Sequence, residues 1–450
     1  MGRLFGMDGV RGMAVTELTA ELTLQIGRAV AVVMRAHSGS RPTVIVGKDT
    51  RISSDVLEAA LCAGICSAGG DVRLIGALPV SAVAWFASLP DADGGVMIST
   101  AHNSVEYNGI KIFGSDGYRL HDDMEAELEA LILDWPDRIR SVSGSELGTM
   151  RRLPDAVGRY LAHLEECISV RLDGMRLAVD CANGCAVHTA KQLLTRLGAS
   201  VELIHAAPDG FNINVDCGSM HIEHLMDYVV SHGCDAGLAF DGDADRCLMV
   251  DETGELVDGD KLIAICARAY QQKHKLRHSA VVVTVMSNLG FTYFARAHQI
   301  RRVTANVGDR YVLEKMLDGG FVLGGEQNGH ILFLDLATTG DGQLSGLKVL
   351  EALRESGGTM SELARVMQRF PQVMINVKIP EEQREYWKND DVITGLIDAR
   401  EEELGDNGRI LVRESYTEPL IRVMIEGRDF NQINAIAMEI SDKIRERVGE

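Results

Sequence analysis

The stretch Gly95–Phe113, GVMISTAHNSVEYNGIKIF, carries more information than any other part of this chain. A predicted strand, Val96–Ser99, runs into the polar segment Thr100-Ala101-His102-Asn103. A second run, Asn108-Gly109-Ile110-Lys111, follows a few residues later. Binding and catalytic residues are often carried by loops that a rigid strand holds in place. This loop is therefore the first candidate for a functional site.

Strands and helices alternate through the first three quarters of the chain. Thr43–Val46 is predicted to be a buried strand, and Ser54–Cys66 a helix whose apolar residues recur at a spacing of three to four. Other short apolar or β-branched runs are predicted to be strands: Val72–Ile75, Leu177–Asp180, Val201–Ile204, Ala236–Phe240, Ala280–Val285, Arg302–Thr304 and Phe321–Leu323. This alternation indicates α/β units with largely parallel sheets.

The last part of the chain has a different pattern. After Phe370-Pro371 the predicted strands are Val373–Ile379, Ile410–Val412 and Ile421–Ile425, and a closing helix begins near Asn431. This order is typical of an α+β domain. We therefore predict four domains, at residues 1–155, 156–255, 256–369 and 370–450, of which the first three are α/β.

Composition excludes some classes of partner. The 450 residues include 46% hydrophobic and 24% charged residues, which is ordinary for a globular protein. The net charge of −20 disfavours nucleic acid and anionic membranes as partners. An anionic ligand would need a local concentration of Lys and Arg.

Cysteine usage and the N-terminal segment predict a cytoplasmic protein. The nine cysteines are scattered, and Cys62-x3-Cys66 and Cys181-x3-Cys185 lack the spacing and the His partners of a zinc site. We predict that they are reduced thiols. The start of the chain has no signal-peptide pattern, and the apolar run Ala29–Met34 is too short to insert into a membrane.

Three carboxylates at alternate positions predict a metal site. Asp241, Asp243 and Asp245 follow a predicted strand, and Arg246 comes directly after them. Neighbouring carboxylates repel one another, so a cation is their natural partner, and all-oxygen ligands suit Mg²⁺. The alternative is an acidic, solvated turn.

Two further segments have the residue types of a sugar phosphate site. Gly324–His330, GGEQNGH, offers Glu326 to sugar hydroxyls, and its glycines allow the backbone to approach a ligand. Arg413–Pro419, RESYTEP, together with Arg422, places hydroxyls and guanidinium groups around one point, as a phosphate cradle requires. An ordinary turn is the alternative interpretation of each segment.

Together these motifs resemble those of the α-D-phosphohexomutases, most closely the bacterial phosphoglucosamine mutases. The resemblance extends from residue 4 to about residue 427. The family patterns are small-Ala-Ser-His-Asn-Pro with Tyr-x-Asn-Gly-Ile-Lys, an Asp-Gly-Asp-Ala-Asp-Arg metal loop, Gly-Glu-Gln-Ser-Gly-His, and Arg-x-Ser-Gly-Thr-Glu-Pro with a following Arg. Further matching segments are Phe5–Gly12, Gly47–Ser53, Pro208–His221, Met286–Gly290, Val307–Tyr311 and Thr339–Gly342.

The resemblance implies a fold, cofactors and residue roles. The implied fold is heart-shaped, with three α/β domains of mixed sheets, a smaller α+β domain and one loop from each domain at a central cleft. The implied cofactors are Mg²⁺ and a glucose or glucosamine 1,6-bisphosphate. Ala101 occupies the phosphoserine position. The implied metal ligands are Asp241, Asp243 and Asp245. The groups implied around the transferring phosphoryl group are Arg11, His102, Lys111 and Arg246. The implied substrate contacts are Glu326, Gln327, Asn328, His330, Arg413, Ser415, Thr417 and Arg422.

The chain departs from the family pattern at the centre of several motifs. Ala101 replaces the Ser that carries the transferable phosphate, so the covalent step has no hydroxyl at that position. Ser99 faces the same side of an extended chain but lies ~6.6 Å away, and Thr100 faces the opposite side. The remaining departures are Met7, Ser104, Met220, Asn328 and Tyr416. Together they favour a natural paralogue over an engineered knockout.

Two classes of function follow from the resemblance. The first is an enzyme that interconverts glucosamine 6-phosphate and glucosamine 1-phosphate, for UDP-N-acetylglucosamine and peptidoglycan synthesis. The second is a non-catalytic protein that keeps the metal loop and sugar phosphate binding and acts through protein partners. A Mg²⁺ phosphatase is disfavoured because the chain has no Asp-x-Asp-x-Thr motif. The resemblance also implies a homodimer.

Overall fold

The computed structural model describes residues 2–6, 8–380, 383, 386–414 and 419–448. The chain divides into two compact units. The first comprises Met1–Met286 and Ile300–Val366, and the second comprises Ser287–Gln299 and Met367–Glu450. Within the described residues, none of the helices combines the length and the apolar character that crossing a bilayer requires.

The first sheet carries the segment Gly95–Phe113. Its described strands are β1 (Val10–Met13), β2 (Thr43–Lys48), β3 (Asp71–Ala77), β4 (Gly94–Ile98), β5 (Tyr107–Gly114) and β6 (Met150–Arg152). The strand order is β1-β5-β4-β2-β3-β6. Strands β2, β3, β4 and β6 are parallel, whereas β5 is antiparallel to both of its neighbours. The Ala101 loop therefore connects two adjacent antiparallel strands.

Two further sheets complete the first unit. The second sheet contains, among described residues, β7 (Arg176–Asp180), β8 (Ser200–Ile204), β9 (Ala236–Phe240), β10 (Cys247–Asp251) and β11 (Leu256–Val257), in the order β11-β10-β9-β7-β8. The third contains β12 (Ala280–Thr284), β13 (Arg301–Ala305), β14 (Leu323–Gly325) and β15 (Ile331–Phe333), in the order β13-β12-β14-β15. Both sheets are mixed, because β9–β10 and β14–β15 are antiparallel pairs.

Helices surround these sheets. In the first unit they are α1 (Ala20–Ser38), α2 (Ile52–Ser67), α3 (Val80–Ala87), α4 (Asp122–Glu129), α5 (Ala156–Glu166), α6 (Ala190–Arg196), α7 (Glu223–His232), α8 (Gly259–Gln272), α10 (Asp309–Gly319), α11 (Gly342–Ser356) and α12 (Met360–Ala364). A π-helical turn, Ala130–Asp134, extends α4. Described 3-10 turns lie at Pro136–Arg138, Gly144–Glu146, Cys185–His188, Gly218–Met220 and Arg277–Ser279.

The second unit has its own sheet and core. Its strands β16 (Gln372–Lys378), β17 (Gly408–Glu414) and β18 (Leu420–Gly427) are antiparallel, in the order β16-β18-β17. Its α-helices are α9 (Leu289–Ala297), α13 (Asp391–Leu404) and α14 (Phe430–Val448), with 3-10 turns at Tyr386–Asn389 and Gly405–Asn407. Apolar residues of α14 pack on the sheet, which gives the α+β arrangement predicted for this part of the chain.

The predicted fold class is confirmed, with local corrections. Ala236–Phe240 is the strand predicted, and most other predicted strands differ by one or two residues. The prediction for Phe321–Leu323 was wrong, because the strand begins at Leu323 and continues through Gly324 and Gly325. The run Asn108–Lys111, for which no secondary structure was predicted, lies on β5.

Helices α1 and α2 pack with their backbones in contact. A Cβ atom added at Gly27 would lie 2.3 Å from the Leu61 carbonyl oxygen, and one added at Gly64 would lie 2.2 Å from that of Leu24. Both distances are far below van der Waals contact. Any side chain at Gly64 would therefore push the two helices apart.

We expect Gly64→Ala to destabilise the first unit. Overpacking of this kind costs ~1–3 kcal/mol, which outweighs the gain in helix propensity. Gly395→Ala is the matched control, because it is also a helical glycine but has nothing within 4 Å of the added Cβ; it should stabilise by ~0.5–1 kcal/mol. Urea unfolding of both variants checks the difference, and equal midpoints would contradict this account of the packing.

Candidate active site

The turn after β9 brings three carboxylates together in the interior. One oxygen from each of Asp241, Asp243 and Asp245 lies within 4.8 Å of the others, and all three residues are buried. Ala244 adopts a left-handed backbone at φ 57°, which folds the turn tightly. The Asp241 carboxylate accepts the Arg246 backbone N–H at 3.1 Å. The burial of the three carboxylates argues against the alternative interpretation of this segment as a solvated turn.

The triad fits a hard cation. Among the described residues, one oxygen of each carboxylate has no hydrogen-bond partner, namely Asp241 Oδ2, Asp243 Oδ1 and Asp245 Oδ1. Buried, unpaired carboxylate oxygens are costly unless a cation binds them. Three oxygen ligands at one point are the donor set that Mg²⁺ prefers.

Burial and mutual repulsion perturb the three acids. Burial raises the pKa of Asp241, and the charges of Asp245 and Asp243 raise it further. Burial and Asp245 likewise raise the pKa of Asp243. Burial alone would raise the pKa of Asp245 as well. The electrostatic influence of nearby Lys111 and His330 outweighs this effect, so the pKa of Asp245 is lowered. A bound cation would favour the ionised form of all three.

Residue 101 lies against this turn. A Cβ added at Gly242 would be 2.6 Å from the Ala101 carbonyl oxygen, so the two loops touch through their backbones. Ala101 is buried and left-handed, with φ 50°. The structure thus places the methyl group of Ala101 in the loop that adjoins the carboxylate triad.

The hydroxyl groups of Ser99 and Thr100 are not placed to take over the function of a hydroxyl at residue 101. Ser99 Oγ donates to Asp49 Oδ2 at 2.7 Å and accepts the Ala101 backbone N–H at 3.0 Å. Thr100 is fully buried, and its hydroxyl has no partner among the described residues. Ser99 therefore supports the loop, and Thr100 points into the interior.

Two side chains from other elements hold the loop by its carbonyl groups. The buried guanidinium of Arg51 donates to the carbonyls of Ala101 at 3.1 Å and Asn103 at 2.7 Å, and also contacts Ser104. It is itself fixed by Asp49 at 2.8 Å. Asn214 donates to the same two carbonyls, at 2.9 and 3.1 Å. The conformation of the loop is thus imposed from outside it.

Positive groups surround the triad. Lys111 on β5 donates to Asp243 Oδ2 at 2.8 Å and lies 3.5 Å from Asp245 Oδ2. Arg246 Nε is 4.0 Å from Asp245 Oδ1. Arg11 on β1 pairs with Asp8, which lies 3.7 Å from Lys111. All three predicted cations therefore lie in one ionic network in the first unit.

His102 is predominantly neutral in this setting. Burial lowers its pKa to about 3, and the positive charge of Arg246 adds to the shift. Its Nδ1 has no partner among the described residues. A neutral imidazole beside the triad can accept a hydrogen bond from a ligand hydroxyl.

The predicted sugar loop folds on itself around Glu326. Its carboxylate accepts the Gly308 N–H at 2.9 Å and the Asn328 side-chain amide at 3.2 Å. Gln327 is turned toward Asp258, 3.4 Å away. The His330 backbone bridges to Arg246, which joins this loop to the metal turn. Roles in substrate binding for Glu326, Gln327, Asn328 and His330 stay predictions.

The predicted phosphate cradle lies in the second unit. Arg413 on β17 and Arg422 on β18 are directly opposite each other in the sheet. Like charges at opposed positions disfavour pairing, and an anion would relieve this. Ser415, Tyr416 and Thr417, like Met7 in the first unit, lie outside the described residues.

Sequence reasoning gave no role to several residues of this network. Asp8 pairs with Arg11 and with Arg119, and Arg119 Nη2 is 3.3 Å from Asp309 Oδ2. Asp49, Arg51 and Asn214 lie in segments that match family motifs, and this match could have identified them as candidate site residues. Arg119 lies outside every recognised motif.

Comparison with known proteins identifies the family. Models of the phosphoglucomutase/phosphomannomutase α/β/α domains I, II and III match residues 2–138, 158–254 and 258–370, and the model of its C-terminal domain matches residues 374–443. The chain belongs to this family. A protein of Acetivibrio thermocellus named phosphoglucosamine mutase is 47% identical over 449 residues, which is 100% of each chain.

Solved structures share the fold. A phosphoglucomutase/phosphomannomutase family protein from Burkholderia thailandensis gives a TM-score of 0.81 at 22% identity, covering 98% of this chain and 97% of the other. Aspergillus fumigatus N-acetylphosphoglucosamine mutase, in complex with GlcNAc-6P and magnesium, gives 0.70 at 17% identity, covering 98% and 95%.

We expect a divalent cation to bind the triad. Calorimetry with Mg²⁺ should show binding that Asp243→Ala abolishes, because the variant loses one of three ligands. The exposed Asp55→Ala is the control and should bind like the unchanged chain. Binding unaffected by Asp243→Ala would reject the assignment of the site.

His102 should make stability fall with acid. Its pKa is about 3 in the folded chain and ~6.5 when unfolded, so below pH ~6.5 the unfolded state binds more protons and stability decreases as pH falls. His102→Gln should remove up to ~1.4 kcal/mol per pH unit of this dependence between pH 6 and 4. Urea midpoints at pH 7 and 5 measure it. The exposed His37→Gln is the control, and an unchanged pH slope in His102→Gln would contradict the shift.

Proposed function

We propose that this protein acts on glucosamine phosphates, with the interconversion of glucosamine 6-phosphate and glucosamine 1-phosphate as its reaction. The observation that carries the proposal is the 47% identity, over the full length of both chains, to a protein named phosphoglucosamine mutase. The carboxylate triad and the cations around it agree with this chemistry. An anionic substrate needs local positive charge on a chain with a net charge of −20.

The residues of the site have complementary tasks in this proposal. Mg²⁺ on the triad would neutralise charge on the transferring phosphoryl group. Arg11, Lys111 and Arg246 surround the same region and would stabilise that charge further. Lys111 or His102 would move the proton of the attacking sugar hydroxyl. Glu326 and His330 would bind the sugar, and Arg413 and Arg422 its distal phosphate.

Residue 101 limits the covalent step. In the mutase cycle a phosphorylated side chain gives its phosphate to the sugar monophosphate, and after the resulting 1,6-bisphosphate reorients, the side chain takes the other phosphate back. The methyl group of Ala101 cannot accept phosphate, and Ser99 is held by Asp49 and the Ala101 N–H. Because loss of a nucleophile typically costs several orders of magnitude in rate, we propose that the chain binds its substrates but turns over very slowly.

Ala101 also favours a second candidate, a binding protein without turnover that acts through protein partners. The relatives reported above give it no support, because the one named by activity over its full length is a mutase. For both candidates we propose a cytoplasmic location, and we carry the homodimer over from the family. The two candidates differ in one measurement, the rate of product formation.

We expect no covalent phosphate on this chain after incubation with glucose 1,6-bisphosphate, since Ala101 has no hydroxyl, Ser99 is held by Asp49 and Thr100 is fully buried. Intact-mass spectrometry is the measurement. The double variant Ala101→Ser/Tyr416→Gly is the positive control and should gain one phosphoryl group. An adduct that maps to Ser99 or Thr100 in the unchanged chain would overturn this account of the site.

We further expect Ala101→Ser alone to restore little activity and Ala101→Ser with Tyr416→Gly to restore much more. Tyr416 replaces the family Gly in the phosphate loop, and a misplacement of about 1 Å can cost ~10²-fold in rate. The two changes should therefore be more than additive. Turnover of glucosamine 1-phosphate by both single variants and the double variant measures this. Full activity from Ala101→Ser alone would show that Tyr416 is harmless.

A further inference from the structure

A second cluster of metal-ligating side chains lies outside the active site. A carboxylate oxygen of Asp180, a ring nitrogen of His205 and the Cys217 sulfur lie within 4.8 Å of one another. Asp180 ends strand β7, His205 directly follows strand β8, and Cys217 precedes a 3-10 turn. Asp180 is fully buried and Cys217 is 1% exposed. Three different elements thus converge on one point.

The backbone at His205 is held in an unfavourable conformation. Its φ is 46°, in the left-handed region, where a side chain costs ~1–2 kcal/mol relative to glycine. Such strain persists where the surrounding structure or a function requires the side chain. His205 Nδ1 lies 2.8 Å from Asp180 Oδ2, so the imidazole is directed into the cluster.

The groups around the cluster orient its donor atoms. Asp180 accepts backbone N–H groups from Ala182 and Gly218, both at 2.9 Å, which fixes its carboxylate. On the other side of the imidazole, His205 Nε2 lies 3.1 Å from His224 Nδ1. Metal-bound histidines usually donate their second ring N–H to such an acceptor. The arrangement matches that pattern if the metal binds Nδ1.

We propose that Asp180, His205 and Cys217 form a binding site for a thiophilic divalent cation of the Zn²⁺ type, with His224 orienting His205. Sulfur and imidazole ligands distinguish this site from the all-oxygen triad and select Zn²⁺ over Mg²⁺. One carboxylate and one thiolate neutralise a divalent charge, so no net charge is buried. The Cys217 thiol proton is released to solvent on binding.

The required adjustment is small. Tetrahedral zinc with bonds of about 2.0 Å to nitrogen and 2.3 Å to sulfur places these two atoms about 3.5 Å apart, within the present limit of 4.8 Å. The His205 side chain is 23% exposed, so a water molecule can reach the fourth coordination position of the metal.

The cluster also fixes the segment between residues 205 and 217. Asn214 lies inside this segment and donates to the carbonyls of Ala101 and Asn103. A cation that joins His205 and Cys217 to Asp180 would hold both ends of the segment. The site would therefore stabilise the position of Asn214 at the Ala101 loop.

Co²⁺ is the probe that tests the proposal, because thiolate-to-cobalt charge transfer absorbs in the near ultraviolet and the aspartate triad contains no sulfur. The reduced, metal-free full chain should take up one Co²⁺ with this band, and one equivalent of Zn²⁺ should abolish it. His205→Gly and Cys217→Ser should each lose the band and weaken Zn²⁺ binding at least ~100-fold. Cys66→Ser and His232→Gln are the controls and should keep it.

His205→Gly is the decisive variant, because the gain from glycine at a left-handed backbone offsets the loss of the hydrogen bond to Asp180 and should leave the chain folded. A loss of binding in a fully folded His205→Gly protein supports the site. A folded, reduced wild-type chain without the band would overturn the proposal, as would a band that persists in Cys217→Ser or His205→Gly.

Discussion

Mutual repulsion among three buried carboxylates is the constraint on which the candidate active site depends. Asp241, Asp243 and Asp245 share one turn, and burial strengthens their interaction because little water screens it. Lys111 reaches them from another sheet at 2.8 Å. One lysine offsets only part of the negative charge, so the turn fits a cation.

The turn can carry this charge because its backbone is fixed by neighbouring elements. The Asp243 carbonyl accepts the Val80 N–H at 3.0 Å, and the Ala244 carbonyl accepts that of Gly342 at 2.9 Å. These bonds come from the starts of helices α3 and α11. Helix N-termini donate N–H groups that have no partner within the helix. The turn therefore joins segments that the family models assign to domains I, II and III.

Sequence patterns predicted the parts of this structure that depend on local residue order. The run Ala236–Phe240 is apolar throughout and forms the strand expected of a fully buried segment. The strand that carries Lys111, Tyr107–Gly114, was not among the strands predicted from the sequence. The cluster of Asp180, His205 and Cys217 could not be predicted, since its members come from separate elements and only the folded chain brings them together.

The left-handed backbone at Ala101 is imposed by Arg51 and Asn214, which bind carbonyl groups rather than any side chain at residue 101. The shape of the loop is therefore independent of the side chain at residue 101. One nucleotide change converts an alanine codon into a serine codon, so a hydroxyl could enter this position without any rebuilding of the fold. Scaffolding of this kind separates the evolution of a loop's chemistry from the evolution of its shape.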